Sequence, residues 1–136
     1  MKTKKTLCII GAGNGGTAIA GDMALAGHDC RLFEFPEYSR NIDPVIANGG
    51  IEVTGIARTG FAKIPLATTN LAAAVKGADV IMVATQALTH ERVALEIACH
   101  MKENQAIILW PGNGGSLVMR KIWDQMGMDT PVILAE

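Results

Sequence analysis

A glycine pattern set between a strand and a helix limits this chain's fold more than any other feature. Thr6-Leu-Cys-Ile-Ile10 is a short, unbroken apolar run, as expected of a strand covered on both faces. Gly11-Ala-Gly13-Asn14-Gly15-Gly16 follows immediately and has the form G-x-G-x-x-G. From about Gly15 to Ala26 the residues are small and apolar. Ile19, Met23 and Ala26 fall at helical spacing, and Gly27 supplies a stop. Such a crossing asks a different thing of each glycine. Gly11 takes the tight turn that ends the strand, Gly13 lets a ligand approach bare backbone, and Gly16 lets the helix pack closely on the sheet.

The same alternation runs to the end of the chain. Cys30-Arg-Leu-Phe33 reads as a second strand ending on Glu34, and Pro36 to Asn48 holds a short helix closed by Gly49-Gly50. Ile51 to Ile64 breaks the rhythm, its apolar residues flanking Gly55 and Gly60, which predicts a small antiparallel hairpin. Further strands are expected at Leu66–Thr68, Val80–Val83, Ile107–Leu109 and Pro131–Leu134. Helices at Leu71–Lys76, along the stripe Val93, Ala94, Ile97, Ala98, Met101, and along Met119, Ile122, Trp123, Met126 fill the intervals. Strands alternating with helices predict an α/β fold with a parallel sheet covered on both faces. Six of them predict the doubly wound Rossmann order 3-2-1-4-5-6, with the hairpin as an insertion.

Charge and composition exclude several classes. Lys and Arg total 12 against 13 acids, so no basic face for nucleic acid is expected. Lys2, Lys4 and Lys5 read as a solvated start to the first strand. No apolar run nears the roughly 20 residues of a membrane span, and Leu7–Ile10 is too short for a signal-peptide core. A cytoplasmic protein without a membrane partner is the expectation. At 136 residues the chain is expected to be one domain. Cys8, Cys30 and Cys99 show no C-x-x-C spacing and read as buried small hydrophobes; no metal site is expected.

The glycine pattern gains specificity from its surroundings. It opens a helix, and an acid, Glu34, stands eighteen positions after Gly16 at the end of the next strand. The unpaired N–H groups and positive dipole end of the helix suit a pyrophosphate. Glu34 is expected to accept both adenosine ribose hydroxyls and to repel a 2′-phosphate. NAD is thereby favoured, and Arg40, close in sequence, leaves NADP possible; Arg31 is expected to point elsewhere.

Gly-Asn-Gly-Gly occurs a second time, within Pro111-Gly112-Asn113-Gly114-Gly115-Ser116 after the fifth strand. In a doubly wound sheet the loops after strands four and five border the nicotinamide half of a dinucleotide. Ala84, Thr85, Gln86 and Trp110, Pro111, Gly112 occupy those two ends. The two copies would then hold opposite ends of one extended cofactor. Ser116 either caps the next helix or meets a substrate, the cap being favoured. His90 reads first as a partly exposed helix residue and second as a cleft residue. His28 and His100 lie near helix ends without identifiable partners.

The segments "IIGAGNGGTAIAGDMALAGH", "RLFEF", "GADVIMVATQALTHERVALEIA" and above all "ILWPGNGGSLVMRKI" resemble the N-terminal domain of the octopine/nopaline (opine) dehydrogenase family over essentially the whole chain. The first motif is shared with ketopantoate reductases and glycerol-3-phosphate dehydrogenases; the strand-five segment is more family-specific. The resemblance implies an oxidoreductase that uses NAD(P)H to reduce the imine formed between a 2-oxo acid and an amino acid. It carries over Gly11, Gly13, Gly16 and Glu34 as cofactor residues, with Pro111-Gly112 on the nicotinamide side; Asn14 and Gly15 in the first loop, and Ala84 and Thr85 after the fourth strand, complete the candidate cofactor residues. Gln86 and Trp110 depart from the family's commoner proline and smaller polar residue, both near the reaction centre.

The family's catalytic His–Asp pair lies in a helical substrate domain, expected after Glu136, so no catalytic residue is assigned in this chain. The 136 residues alone are expected to be inactive and, with a docking face open, to form a homo-oligomer. Trp110, Met119, Trp123, Leu134 and Gln86 are expected near that face, although the helix residues among them could instead meet the sheet. A dinucleotide-sensing module without catalysis, a ketopantoate-reductase or glycerol-3-phosphate-dehydrogenase type of enzyme, and a methyltransferase are the alternative readings, the last disfavoured by the full G-x-G-x-x-G.

Overall fold

A computed structural model describes residues 3–136; Lys2 of the lysine cluster lies outside the described residues. Its strands are β1 (Thr6–Ile10), β2 (Asp29–Phe33), β3 (Gly50–Val53), β4 (Gly60–Lys63), β5 (Leu66–Thr68), β6 (Val80–Val83), β7 (Ala106–Leu109) and β8 (Ile133–Ala135). The α-helices are α1 (Asn14–Leu25), α2 (Asp43–Asn48), α3 (Leu71–Val75), α4 (His90–Ile97) and α5 (Gly115–Gln125). Six strands pair in parallel in the order β5-β2-β1-β6-β7-β8, the doubly wound order the alternation predicts. β3 and β4 form the antiparallel hairpin, with Gly50 opposite Lys63 and Val53 opposite Gly60.

Side chains alternate across the sheet and divide the core in two. Leu7, Ile9, Cys30, Leu32 and Met82 face one side, where Ala20 of α1 and Val45 of α2 cover them. Cys8, Ile10, Phe33, Ile81, Val83, Ile107 and Leu109 face the other, beneath Val93, Ile97, Met119 and Trp123. This double coverage explains why the strands carry apolar runs and no polar alternation. Small residues bring α1 in closely: Gly16, Ala20 and Gly21 are buried on its inner side. The hairpin packs across α1 as well, so tightly that a Cβ on Gly21 would stand 2.6 Å from Val53 Cγ2.

Four local readings change in three dimensions. Trp123 and Met119 are fully buried, and the indole Nε1 donates to the Ala94 carbonyl at 2.9 Å, joining α5 to α4. They belong to the core, and the half-buried Leu134 packs against the same cluster, which leaves Trp110 and Gln86 exposed at the carboxyl-end loops. Burying each stabilises the fold by about 2–3 kcal/mol. Cys8 and Cys30 are buried in strands, whereas Cys99 is exposed because its short 3₁₀ turn, Ala98–His100, turns that side outward. β8 begins at Ile133, two residues after Pro131, whose carbonyl bonds Asn104 N instead of entering the ladder. His90, first read as partly exposed, is buried at 1% exposure.

Candidate functional site

β1 and β6 are the neighbours between which the strand order reverses, and a cleft opens beyond their carboxyl ends. It has a volume of about 280 Å³ and is lined by Gly11, Gly13, Glu34, Tyr38, Asn41 and Thr85, with Phe35, Ala84, Gln86 and Thr89 beside them. Six residues singled out by sequence therefore meet there: Gly11, Gly13, Glu34, Ala84, Thr85 and Gln86. Asn14, Gly15 and Gly16 form the adjoining first turn of α1. Pro111 and Gly112 do not line this cleft.

The four glycines of the first loop do two kinds of work. Gly11 has φ +101°, its N–H prolongs the ladder to the Phe33 carbonyl at 2.9 Å, and a Cβ there would stand 2.7 Å from the Ala84 carbonyl oxygen. A Cβ on Gly16 would collide with the Gly11 carbonyl oxygen itself. These two are required by the fold. Gly13 and Gly15 have no neighbour within 4 Å of an added Cβ, so their bare faces look onto open space.

Gly13, extended at φ −71° and ψ −172°, is the N-cap of α1, and no side chain caps the helix. Its first-turn N–H groups thus lack an acidic or hydroxyl partner, a state that favours an anion. The Thr17 hydroxyl donates to the Gly13 carbonyl at 2.9 Å and so caps none of these N–H groups.

Glu34 faces this loop at only 5% exposure. Its Oε2 accepts from Ala12 N at 3.0 Å and from Asn41 Nδ2 at 3.0 Å, and its Oε1 from Phe35 N at 2.9 Å. A carboxylate so buried needs such partners. Arg31 points away, as expected from strand alternation, and donates to the Ala74 and Lys76 carbonyls at the end of α3. Beyond Glu34, the Phe35 ring meets Phe33 edge to face at 5.1 Å and carries the Arg92 guanidinium 3.8 Å above its centre. Glu96 at 2.7 Å and Glu37 hold that guanidinium. The Arg92 pairing pulls the Glu37 carboxyl below its usual range.

The second Gly-Asn-Gly-Gly has a different conformation and a different neighbour. Asn113 and Gly114 are left-handed, at φ 50° and 79°, and Gly114 is the N-cap of α5. Ser116, expected as the cap, sits one residue inside the helix. Its N–H and hydroxyl donate to Glu136 Oε1 at 2.9 and 2.6 Å, and Gly114 N donates to Glu136 Oε2 at 3.2 Å. These bonds draw the Glu136 carboxyl below its ordinary value. The Glu136 side chain also fills the space that a Cβ on Gly112 would need.

His90 lies beneath Gly115. Burial pushes its pKa down, against a smaller opposing pull from the Thr85 backbone and the Glu136 charge. Its Nε2 and the Thr85 hydroxyl are buried without a partner among the described residues. His28, by contrast, accepts from Lys5 N at 3.3 Å. Among the described residues no cluster of His, Cys, Asp and Glu is arranged to hold a metal ion, and no helix is long and apolar enough to cross a membrane.

Sequence reading missed Asn41, Tyr38, Phe35 and Thr89 in the cleft. The first three lie in or beside the 3₁₀ turn Pro36–Asn41, where no periodicity marks a site.

A six-stranded doubly wound sheet, a bare glycine loop at its switch point and an acid after β2 define a dinucleotide-binding Rossmann domain. Residues 6–114 match the family model described as the N-terminus of NAD-dependent glycerol-3-phosphate dehydrogenase, and the chain belongs to that family. NAD(H) is the cofactor of this class of domain. Within it, the resemblance to opine dehydrogenases is borne out: the chain is 37% identical over 128 residues to an opine dehydrogenase of Arthrobacter sp. (strain 1C), a match spanning 93% of the chain and 35% of that relative. It is similar in fold to an octopine dehydrogenase solved with NADH and L-arginine, with TM-score 0.77, 18% identity, and 96% of this chain and 34% of that one covered. A ketopantoate reductase from Ralstonia eutropha JMP134 has TM-score 0.74 and 20% identity, covering 96% of this chain and 40% of its own. The chain thus spans about a third of the curated relative it matches.

Proposed function

We propose that this domain is the cofactor-holding part of an opine-dehydrogenase-type oxidoreductase, which joins a 2-oxo acid to an amino acid by reducing the imine they form. The observation that carries the cofactor pose is the uncapped first turn of α1 opening onto empty space opposite the buried Glu34. In this reading the N–H groups of Asn14, Gly15 and Gly16 take the pyrophosphate, with Gly11 and Gly13 giving the backbone room. Glu34 faces the adenosine ribose, Ala84 and Thr85 flank the middle of the dinucleotide, and Pro111 and Gly112 stand on its nicotinamide side. The cofactor supplies a hydride; the protein's part here is to bind and orient it.

The substrate and the catalytic acid–base pair belong, on this proposal, to a helical domain that follows residue 136. That domain docks where Trp110, Leu88 and Leu117 are exposed at the carboxyl-end loops and the start of α5. Apolar surface of this kind also favours self-association of the 136 residues by themselves. The 37% identity to an opine dehydrogenase favours this chemistry over that of the glycerol-3-phosphate and ketopantoate enzymes.

The test is NADH oxidation with pyruvate and a panel of amino acids, on the 136-residue chain and on the full polypeptide its gene encodes. We expect no turnover by the former and turnover by the latter. Turnover by the 136 residues alone would contradict the division of labour. A full polypeptide that binds NADH yet consumes none with any pair would favour the sensing module without catalysis.

A further inference from the structure

Glu34 is less free than an acid waiting for a ribose should be. A carboxylate has about four acceptor positions, and three of Glu34's are taken by Ala12 N, Asn41 Nδ2 and Phe35 N. Both positions on Oε2 are filled, so one remains, on Oε1. A ribose diol presents two hydroxyls. Glu34 alone therefore lacks the capacity to accept both without giving up a bond it already makes.

The missing acceptor is close by. Asn41 ends the 3₁₀ turn Pro36–Asn41 and lines the same cleft as Glu34. Its amide nitrogen is committed to Glu34, while no protein donor among the described residues reaches its Oδ1. We propose that Asn41 is a specificity-determining residue for the cofactor, reading the adenosine ribose jointly with Glu34. The 2′-hydroxyl goes to Asn41 Oδ1 and the 3′-hydroxyl to the open position on Glu34 Oε1. The amide N–H fixes Glu34 Oε2, so that the carboxylate's charge stands where a 2′-phosphate would have to lie. Discrimination against NADPH then belongs to the pair, and it depends on Asn41 even though Asn41 is uncharged.

This inference rests on the NAD-binding reading, and the experiment separates the two. NADH, its 2′-deoxy analogue and NADPH are titrated calorimetrically into the wild-type chain, Asn41→Ala and Asn41→Asp, with melting temperatures measured on each. Losing one such hydrogen-bonding partner corresponds to about a tenfold change in affinity. For Asn41→Ala we expect NADH to weaken by about that factor and the 2′-deoxy analogue and NADPH to change little; the melting temperature should fall by a few degrees at most, because Glu34 loses one donor but keeps the Ala12 and Phe35 amides. The preference for NADH should thus shrink, and removing the 2′-hydroxyl should cost the variant less than it costs the wild type. Asn41→Asp keeps the shape but sets a second carboxylate against Glu34, and should weaken NADH further. An Asn41→Ala variant that keeps both the wild-type NADH:NADPH ratio and the wild-type penalty for 2′-deoxy-NADH would overturn the role of Asn41 while leaving NAD binding intact. A wild-type chain that binds none of the three would overturn the cofactor reading and this inference with it.

Discussion

The two Gly-Asn-Gly-Gly loops share four residues and almost nothing else. In the first, α1 begins at Asn14, so the fourth glycine is already three residues into the helix and pressed against Gly11. In the second, the left-handed Gly114 is the cap and α5 begins only at the fourth glycine. The tetrapeptide is displaced by two residues relative to its helix. The first helix keeps its opening N–H groups free of side-chain partners; the second gives Gly114 N, Ser116 N and the Ser116 hydroxyl to Glu136. The first crossing is thus left open to an anion from outside, whereas the second already holds one of the protein's own.

Substitutions at equivalent letters of the two loops should break this comparison in graded fashion. Gly16→Ala should have the largest effect, because its Cβ meets backbone that cannot move aside without detaching α1 from β1. Thermal denaturation should show a loss of about 3 kcal/mol or more, or failure to fold. A variant as stable as wild type would show that the crossing is looser than described. Gly115→Ala meets only side chains, His90 and Leu109, which can shift. A loss of about 1–3 kcal/mol is expected from the same measurement.

Acid sharpens the contrast at the second loop. Burial holds His90 below its ordinary value near 6.5, so on acidification the unfolded chain takes up the proton before the fold does. Stability is full above that value and falls as pH drops through it toward the lower folded value. Glu136, lowered from 4.5, adds a second loss at more acid pH, because its contribution exists only while it is ionised. Melting temperature against pH should step down between about pH 7 and 5, and His90→Asn should flatten that step. A flat wild-type profile would contradict the buried, neutral imidazole. Gly13→Val should have the smallest effect on stability. Its extended backbone accepts a branched residue and no atom lies within 4 Å, so a change within about 1 kcal/mol is expected.

Much of this architecture is legible in the chain because it is written locally. Apolar runs mark the buried strands, and Gly11 to Gly16 with Glu34 mark the switch-point loop within a few dozen residues. What escaped depends on tertiary placement. His90, a polar residue at the start of a helix, carries no local sign that α5 will close over it. Met119 and Trp123 form a clear stripe, but a stripe does not say which neighbour it meets. Glu136 reaches the second loop from about twenty residues away, and its carboxylate answers donors that sequence reading had reserved for a ligand or a cap. Asn41 lies on a turn without periodicity, where only its 3.0 Å bond to Glu34 reveals it.

The central claim is that the bare face of the first loop receives NAD(H). It is tested most directly by titrating NADH into the wild-type chain and into Gly13→Val, with the melting temperature of each as control. The account predicts saturable NADH binding to wild type, tighter than NADPH, and loss of that binding in a variant that melts within a few degrees of wild type. A Gly13→Val chain that binds NADH as tightly as wild type would contradict it.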